Sequence, residues 1–235
     1  MADERTNETK GRAELVSMLA HELRGPITTI RGIAATSRAH FDRLSDDEKV
    51  EFLGLIEQES DRMLNVVDQA ALAMRLAAGG LAAPPGPTEL AAIARQGIEA
   101  AALEDRTIEL ELDEVPVDAD RTMLIQVVRQ LVRNADAYSP PDEPVTVRVR
   151  REGAQAVLEV ADRGPGVPED RREALFGMFP NWRPSGYEEV PGTGLGLFIS
   201  RAVVAEHHGE ISIEGEPGGG TMLRVRLPAG ETTDG

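Results

Sequence analysis

Val157-Leu-Glu-Val-Ala-Asp-Arg-Gly-Pro-Gly-Val167 decides how the C-terminal half of this chain is read. Val157 to Val160 has the composition of a strand with one face buried. Asp162 stands where that strand ends, and Gly164 and Gly166 follow it. Glycines let a backbone come close to a flat ligand. A carboxylate at the strand end accepts a hydrogen bond from the exocyclic amine of adenine. It repels the carbonyl oxygen that guanine carries there, so the position would favour ATP over GTP. Taken alone, Asp and Gly in this order also make an ordinary turn.

Toward the C-terminus, residues 168–191 hold Pro168, Pro180, Pro184, Gly186 and Pro191 and read as a long loop, a lid over a nucleotide. Gly192-Thr193-Gly194-Leu195-Gly196 then opens a helix running to about His207. Glycine-rich backbone at a helix N-terminus offers free N–H groups and the positive end of the dipole to phosphate. The Walker pattern is absent, and no strand immediately precedes this run as a dinucleotide fold would require. Ile211–Ile213 and Met222–Leu227 alternate as strands.

Toward the N-terminus, Val145–Val149 and Ile108–Leu112 alternate as strands, and residues 89–104 and 120–137 have helical periodicity. Gln130 and Asn134, four apart, share a helix face. An amide oxygen is a hard, neutral ligand suited to Mg²⁺, which keeps waters and phosphate oxygens as its other ligands. Residues 89–228 therefore predict an α+β sandwich with helices on one side of a mixed sheet, and 229–235 a tail.

The Gly/Pro/Ala-rich stretch 78–88 reads as a linker. Before it, residues 13–77 read as a helical hairpin, with a disordered tail over 1–12. Leu15, Leu19, Leu23, Ile27 and Ile30 make an apolar stripe that Pro26 interrupts, so a kink is expected there. Ser45-Asp-Asp-Glu48 is a capping box opening the second helix, whose stripe is Phe52, Ile56, Met63, Val67, Ala70 and Met74, with Glu59 as a blemish. A hairpin alone buries too little apolar surface, so two copies pairing as a four-helix bundle is the natural solution. His21 lies on the first helix. A neutral imidazole with a free lone pair is a good phosphoryl acceptor, and Glu22 beside it could fix the tautomer or take a proton. An ordinary surface histidine is the plainer reading of that residue alone.

The net charge of -16, with no Lys/Arg cluster, argues against nucleic acid or an anionic membrane as partner. Without cysteine there is no disulfide or thiolate metal site, and a cytoplasmic setting fits. The polar N-terminus is no signal peptide, and no run approaches the ~20 apolar residues of a membrane span. A stimulus would then come through a separate sensor or regulatory protein. His40, His207 and His208 lack an accompanying cluster of acids or thiols and read as structural.

In order and spacing these segments resemble the sensor histidine kinases of two-component systems. His21-Glu-Leu-Arg-Gly-Pro26 is similar to the family's H-box, Gln130 to Asn134 to its N-box, Asp162-x-Gly164-x-Gly166 to its G1 box and Gly192-x-Gly194-x-Gly196 to its G2 box. Phe176 and Phe179 resemble its F-box, and Gly220-Thr221 its closing segment. The resemblance implies a Bergerat-type (GHKL) ATP-binding module joined to a dimerising hairpin. It implies His21 as phospho-acceptor, Asn134 on Mg²⁺ and Asp162 on adenine. Gly164, Gly166, Gly192, Thr193, Gly194, Leu195, Gly196 and Thr221 would shape the nucleotide site, and the receiver domain of a response regulator would be the partner. Three positions depart from the pattern. Gly25 stands where Thr or Asn commonly positions water for dephosphorylating the regulator. Gln130 replaces the first Asn of the N-box, and Ala137 a basic residue that reaches phosphate. The alternatives are a catalytically weak dimeric scaffold, or an ATPase or serine kinase of the wider GHKL group. The hairpin over 13–76 argues against the second.

Overall fold

The computed structural model describes residues 2–77, 85–103, 105–178, 180, 182–188, 190, 192, 194–216 and 218–230; the side chains of residues before 19, and of 21, 65, 75 and 77, lie outside that description. The chain divides into two compact units, Met1–Met74 and Arg75–Gly235.

The first unit is a helical hairpin of α1 (Ala2–His40) and α2 (Asp46–Ala77). Residues 2–12, expected as a disordered tail, form the first turns of α1. Glu, Arg and Lys among them are good helix formers, and no Pro or Gly stands before Gly11. Pro26 does not end α1, although it has no N–H for the Glu22 carbonyl. In the turn around it, the Thr28 and Thr29 hydroxyls donate to the carbonyls of Arg24 and Gly25 at 2.7 and 3.3 Å. The capping box forms in both directions. The Glu48 N–H donates to Ser45 Oγ at 3.2 Å, and Ser45 N–H donates to Glu48 Oε2 at 2.8 Å. The Ser45 N–H and the Ser45 hydroxyl, both donating to Glu48 Oε2, hold the Glu48 carboxyl below its ordinary pKa.

One correction concerns α2. Phe52, Ile56, Glu59, Met63, Val66, Ala70 and Ala73, alternating steps of four and three, form the half-buried to buried stripe. Val67 and Met74, placed on that stripe from the sequence, are each 49% exposed, because one residue of drift turns a helical side chain by about 100°. They fall instead on a second stripe with Val50, Leu53 and Leu64, also exposed. Glu59 keeps its blemish: its Oε2 is buried without a hydrogen-bond partner among the described residues.

The second unit runs β1 (Gly86–Glu89), α3 (Leu90–Ala101), β2 (Ile108–Leu112), β3 (Pro116–Ala119), α4 (Arg121–Tyr138), β4 (Val145–Glu152), β5 (Gln155–Ala161), α5 (Glu169–Arg172), a 3-10 turn (Glu173–Phe176), α6 (Gly196–Glu206), β6 (Glu210–Gly215) and β7 (Thr221–Pro228). Five strands form one sheet in the order β2-β4-β5-β7-β6, parallel between β2 and β4 and antiparallel elsewhere. Its inner face is a row of Val147, Val160, Leu223 and Ile213 beside a row of Val149, Leu158, Val225 and Ile211, all buried. Against it pack α3, α4 and α6, whose Ile93, Leu131, Val132 and Val203 are fully buried. The outer face carries ion pairs instead. Glu159, 3% exposed, takes Arg150 Nη2 at 2.7 Å and Arg224 Nε at 2.6 Å. Burial alone would raise the Glu159 carboxyl, but the two guanidiniums outweigh it and hold it below its ordinary range.

Two boundaries shift. Of the linker expected over 78–88, residues 78–84 lie outside the described residues, while 86–88 belong to β1, which pairs antiparallel with β3. Pro87 and the shortness of both strands hid this pair from pattern reading. At the other end the ordered fold passes residue 228. Ala229 N–H donates to the Ala154 carbonyl at 2.9 Å and Gly230 N–H to the Pro116 carbonyl at 2.7 Å, so these two residues of the expected tail belong to the fold, and 231–235 lie outside the described residues.

Candidate functional site

The second unit brings the ends of α4, β5 and β7 and the start of α6 to one place. α4 is an amphipathic helix whose Asp120 caps it by accepting from Met123 N–H at 3.1 Å. Asn134 lies in its last two turns, and Gln130 Nε2 donates to Asn134 Oδ1 at 2.9 Å. A carbonyl oxygen has two lone pairs, so this bond orients the Asn134 amide and leaves one pair free.

Asp162 follows β5, where the ladder with β7 ends. Its N–H donates to the Thr221 carbonyl at 2.9 Å, and its Oδ1 accepts from Thr221 N–H at 3.1 Å and Gly164 N–H at 2.7 Å. Oδ2 takes no hydrogen bond from a described residue, so one oxygen is fixed to the fold and the other can accept from a ligand. Burial raises the Asp162 carboxyl above its ordinary range. The two backbone N–H groups oppose that, and Glu216 adds to it.

The glycines have specific duties. A Cβ at Gly164 would lie 2.3 Å from the Tyr138 carbonyl oxygen, and one at Gly220 would lie 2.0 Å from the Asp162 carbonyl oxygen. Neither position can carry a side chain without moving backbone. A Cβ at Gly196 would lie 2.3 Å from the Gln130 amide, so the first residue of α6 sits directly on the N-box helix. Gly166 and Gly194 have φ of +74° and +68°, the left-handed region that favours glycine. Leu195, fully buried, anchors the turn into α6 and places no side-chain cap on it, and a helix start of this kind turns its N–H groups toward an anion. Among the described residues no cluster of three or more His, Cys, Asp or Glu could hold a metal. A cation here would rely on a neutral amide oxygen and on phosphate, which suits Mg²⁺.

The sequence-predicted residues Asn134, Asp162, Gly164, Gly166, Gly196 and Thr221 thus share one end of the sheet. Gly192 is tied to the end of α4 through Arg183. Arg183 Nη2 donates to the Gly192 carbonyl at 3.3 Å and its Nη1 to the Tyr138 hydroxyl at 2.6 Å, while Tyr187 packs on Tyr138 with ring centroids 5.7 Å apart. Thr193 lies outside the described residues, as does Phe179, whereas Phe176 is buried with the Arg201 guanidinium 5.4 Å from its ring centroid. The backbone of His21 is helical within α1, but its side chain is outside the described residues; Glu22 is half-buried on the same helix. Sequence reading missed Tyr138, Ser139 and Arg183. A tyrosine and serine directly after the N-box were the available signal.

Residues 11–79 match the family model of the His Kinase A (phospho-acceptor) domain. Residues 119–231 match that of the Histidine kinase-, DNA gyrase B-, and HSP90-like ATPase, the ATP-binding fold. The circadian input-output histidine kinase CikA of Synechococcus elongatus is 31% identical over 231 residues, 94% of this chain and 30% of its own length. The signal transduction histidine-protein kinase/phosphatase MprB of Mycobacterium sp. strain KMS is 32% identical over 245 residues, 98% of this chain and 46% of its own. Among solved structures, the histidine kinase AdeS of Acinetobacter baumannii shares the fold with a TM-score of 0.67 at 21% identity, over 90% of this chain and 98% of that one. The chain spans less than half the length of these curated relatives.

Proposed function

The chain belongs to the sensor histidine kinases of two-component systems, and from that membership we propose that it phosphorylates its own His21 with ATP and passes the phosphoryl group to an aspartate of a response regulator. The observation that carries this is Asp162, with Oδ1 pinned by two backbone N–H groups and Oδ2 left to accept from the amine of adenine. Gly164 and Gly166 let the base approach, and the glycine-rich start of α6 faces the phosphates. Asn134 would hold Mg²⁺ by its amide oxygen, and that ion would neutralise charge on the β- and γ-phosphates.

The chemistry asked of the protein is mainly positioning. A ring nitrogen of His21 attacks the γ-phosphorus, the bond from that phosphorus to the bridging oxygen breaks, and ADP leaves. Glu22, next to His21 in the chain, would orient the ring or accept its proton. The phosphoryl group then moves from nitrogen to a carboxylate oxygen of the receiver domain, restoring the imidazole.

The protein works as a homodimer. Val50, Leu53, Leu64, Val67 and Met74 form an exposed apolar stripe on α2 that a second copy would cover to complete a four-helix bundle. No described helix is long and apolar enough to cross a membrane. A cytoplasmic setting and a separate sensor or regulatory partner complete the reading.

The test is incubation with γ-labelled ATP and Mg²⁺. Acid-labile, alkali-stable label is expected on the wild-type chain and absent from His21→Gln. Label that persists in His21→Gln defeats the assignment, and label stable to acid points to a serine kinase instead.

A further inference from the structure

Arg106 lies in the loop between α3 and β2, in no segment to which the sequence assigned chemistry, yet its side chain is only 7% exposed. Its guanidinium is spent on the C-terminal end of α4. Nε donates to Asp136 Oδ1 at 2.6 Å, and Nη2 donates to the carbonyls of Asp136 and Ser139 at 3.0 and 3.4 Å. Nη1 donates to the carbonyls of Pro140, Glu143 and Pro141 at 2.6, 2.9 and 3.3 Å. Helix ends leave their last carbonyls without intrahelical partners, and a planar guanidinium with five N–H donors satisfies several of them at once. A lysine ammonium has three donors on one centre and cannot span the same set.

The opposite side of this segment faces the nucleotide site. The Tyr138 carbonyl is the surface on which Gly164 rests, 2.3 Å from where a Cβ would stand, and Ser139 Oγ accepts from Arg163 N–H at 3.3 Å. Gly164 N–H in turn holds Asp162 Oδ1. The chain of contact runs from Arg106 to residues 136–139, to Arg163 and Gly164, and so to the Asp162 carboxylate.

We infer that Arg106 is a positioning residue for base selection: by clamping the end of α4 it fixes the loop that aims Asp162 at the purine amine. This rests on the proposed nucleotide site and adds a residue to it. A clamp that merely held the domain together would affect adenine and guanine nucleotides alike, so the preference between them is the informative quantity.

The experiment measures equilibrium affinity of the full chain for ATP and GTP, with folding checked by circular dichroism. Arg106→Lys is expected to fold, to bind ATP about tenfold more weakly and to lose most of its preference for ATP over GTP. Ser139→Ala, which removes the acceptor at the other end of the relay, should shift the preference in the same direction. The double variant should be no worse than the worse single one, because both act along one path. An unchanged preference in folded Arg106→Lys, or losses that multiply in the double variant, would overturn the inference. Should Arg106→Lys fail to fold, Asp136→Asn is the milder probe: a smaller loss of preference supports the inference and none overturns it. Wild type and Asp162→Asn separate this from its premise. If wild type binds no ATP, or Asp162→Asn keeps the full preference, the nucleotide site itself is wrong. If both behave as expected and Arg106→Lys does not, only the Arg106 inference falls.

Discussion

His207 Nε2 accepts the Asp120 N–H at 2.8 Å while its Nδ1 lies 2.7 Å from the Val203 carbonyl, so one buried ring joins the C-terminus of α6 to the N-cap of α4. The backbone N–H requires a lone pair on Nε2, which places the proton on Nδ1, where it is donated to Val203. The two helices that carry the N-box and the G2 glycines are thereby tied at the ends remote from Asn134. His207→Phe keeps an aromatic ring, a somewhat larger one, and removes the acceptor of the buried Asp120 N–H. We expect a loss of about 1–3 kcal/mol in urea unfolding. An unchanged midpoint would show that the bond is dispensable.

Asp162→Asn should separate stability from binding. The folded state raises the Asp162 carboxyl above its ordinary value of 3.8, mainly by burial. A raised pKa means the fold holds the proton more tightly than the unfolded chain does. The favourable contribution is complete below 3.8 and is lost as pH rises through the raised value. At neutral pH the ionised carboxylate therefore costs stability, whereas Asn keeps an acceptor for the Gly164 and Thr221 N–H groups. Thermal melts should show Asp162→Asn more stable than wild type at pH 7, with the gap closing toward pH ~3. ATP affinity should fall by about tenfold or more, roughly 1.4 kcal/mol. A variant less stable than wild type at neutral pH would contradict the argument.

Gly164→Ala and Gly196→Ala should differ although both meet an atom 2.3 Å from the new Cβ. At Gly164 the obstacle is the Tyr138 carbonyl, which is main chain; at Gly196 it is the end of the Gln130 side chain, which can swing away. Gly164→Ala should abolish measurable nucleotide binding in calorimetry. Gly196→Ala should retain it, weakened about tenfold, because moving Gln130 breaks its bond to Asn134. Equal losses would mean that the Gln130 contact is as rigid as backbone.

Leu53 and Leu64 are 63% and 62% exposed on the outer stripe of α2. Leu53→Glu with Leu64→Glu places two like charges where a second copy would pack. Light scattering should report a dimer for wild type and a monomer for the double variant, with helicity kept in the monomer. A monomeric wild type would remove the bundle from the proposal.

A Cβ at Gly25 would meet no atom within 4 Å, so a side chain fits there without strain. Gly25→Thr supplies the hydroxyl that the family commonly uses to position water. Removal of phosphate from the phosphorylated regulator should be slow with wild type and several-fold faster with the variant, while His21 labelling stays unchanged. Fast dephosphorylation by wild type would show that another residue positions the water.

Local signals were readable where one segment decides its own conformation. Ser45 and Glu48 meet as a capping box because both partners lie within one turn. The strand ending at Leu112 was readable from its alternating Ile, Glu and Leu, whereas β5, expected with one face buried, is buried on both faces from Ala156 to Ala161, because ion-paired arginines cover its outer side. The Asp162 site was legible for a similar reason, since carboxylate and glycines are adjacent in the chain. What was not legible depends on distant partners. β1 and β3 lack a pattern of their own and exist through each other. Arg106 reaches residues thirty or more positions away, and His207 reaches Asp120 across 87. Val67 and Met74 were misassigned because a stripe read by heptads does not say which of two adjacent faces is covered.

The strand pair β1–β3 has a consequence for how such a protein can diversify. The segment that enters the catalytic unit is fastened by main-chain pairing of Gly86 with Ala119 through Glu89 with Pro116, and its Pro87 and Glu89 side chains point to solvent. An attachment made by amides rather than by side chains tolerates drift. The same catalytic unit can therefore be re-tethered to different upstream sequences, and natural chimaeras should join most cleanly just before residue 86.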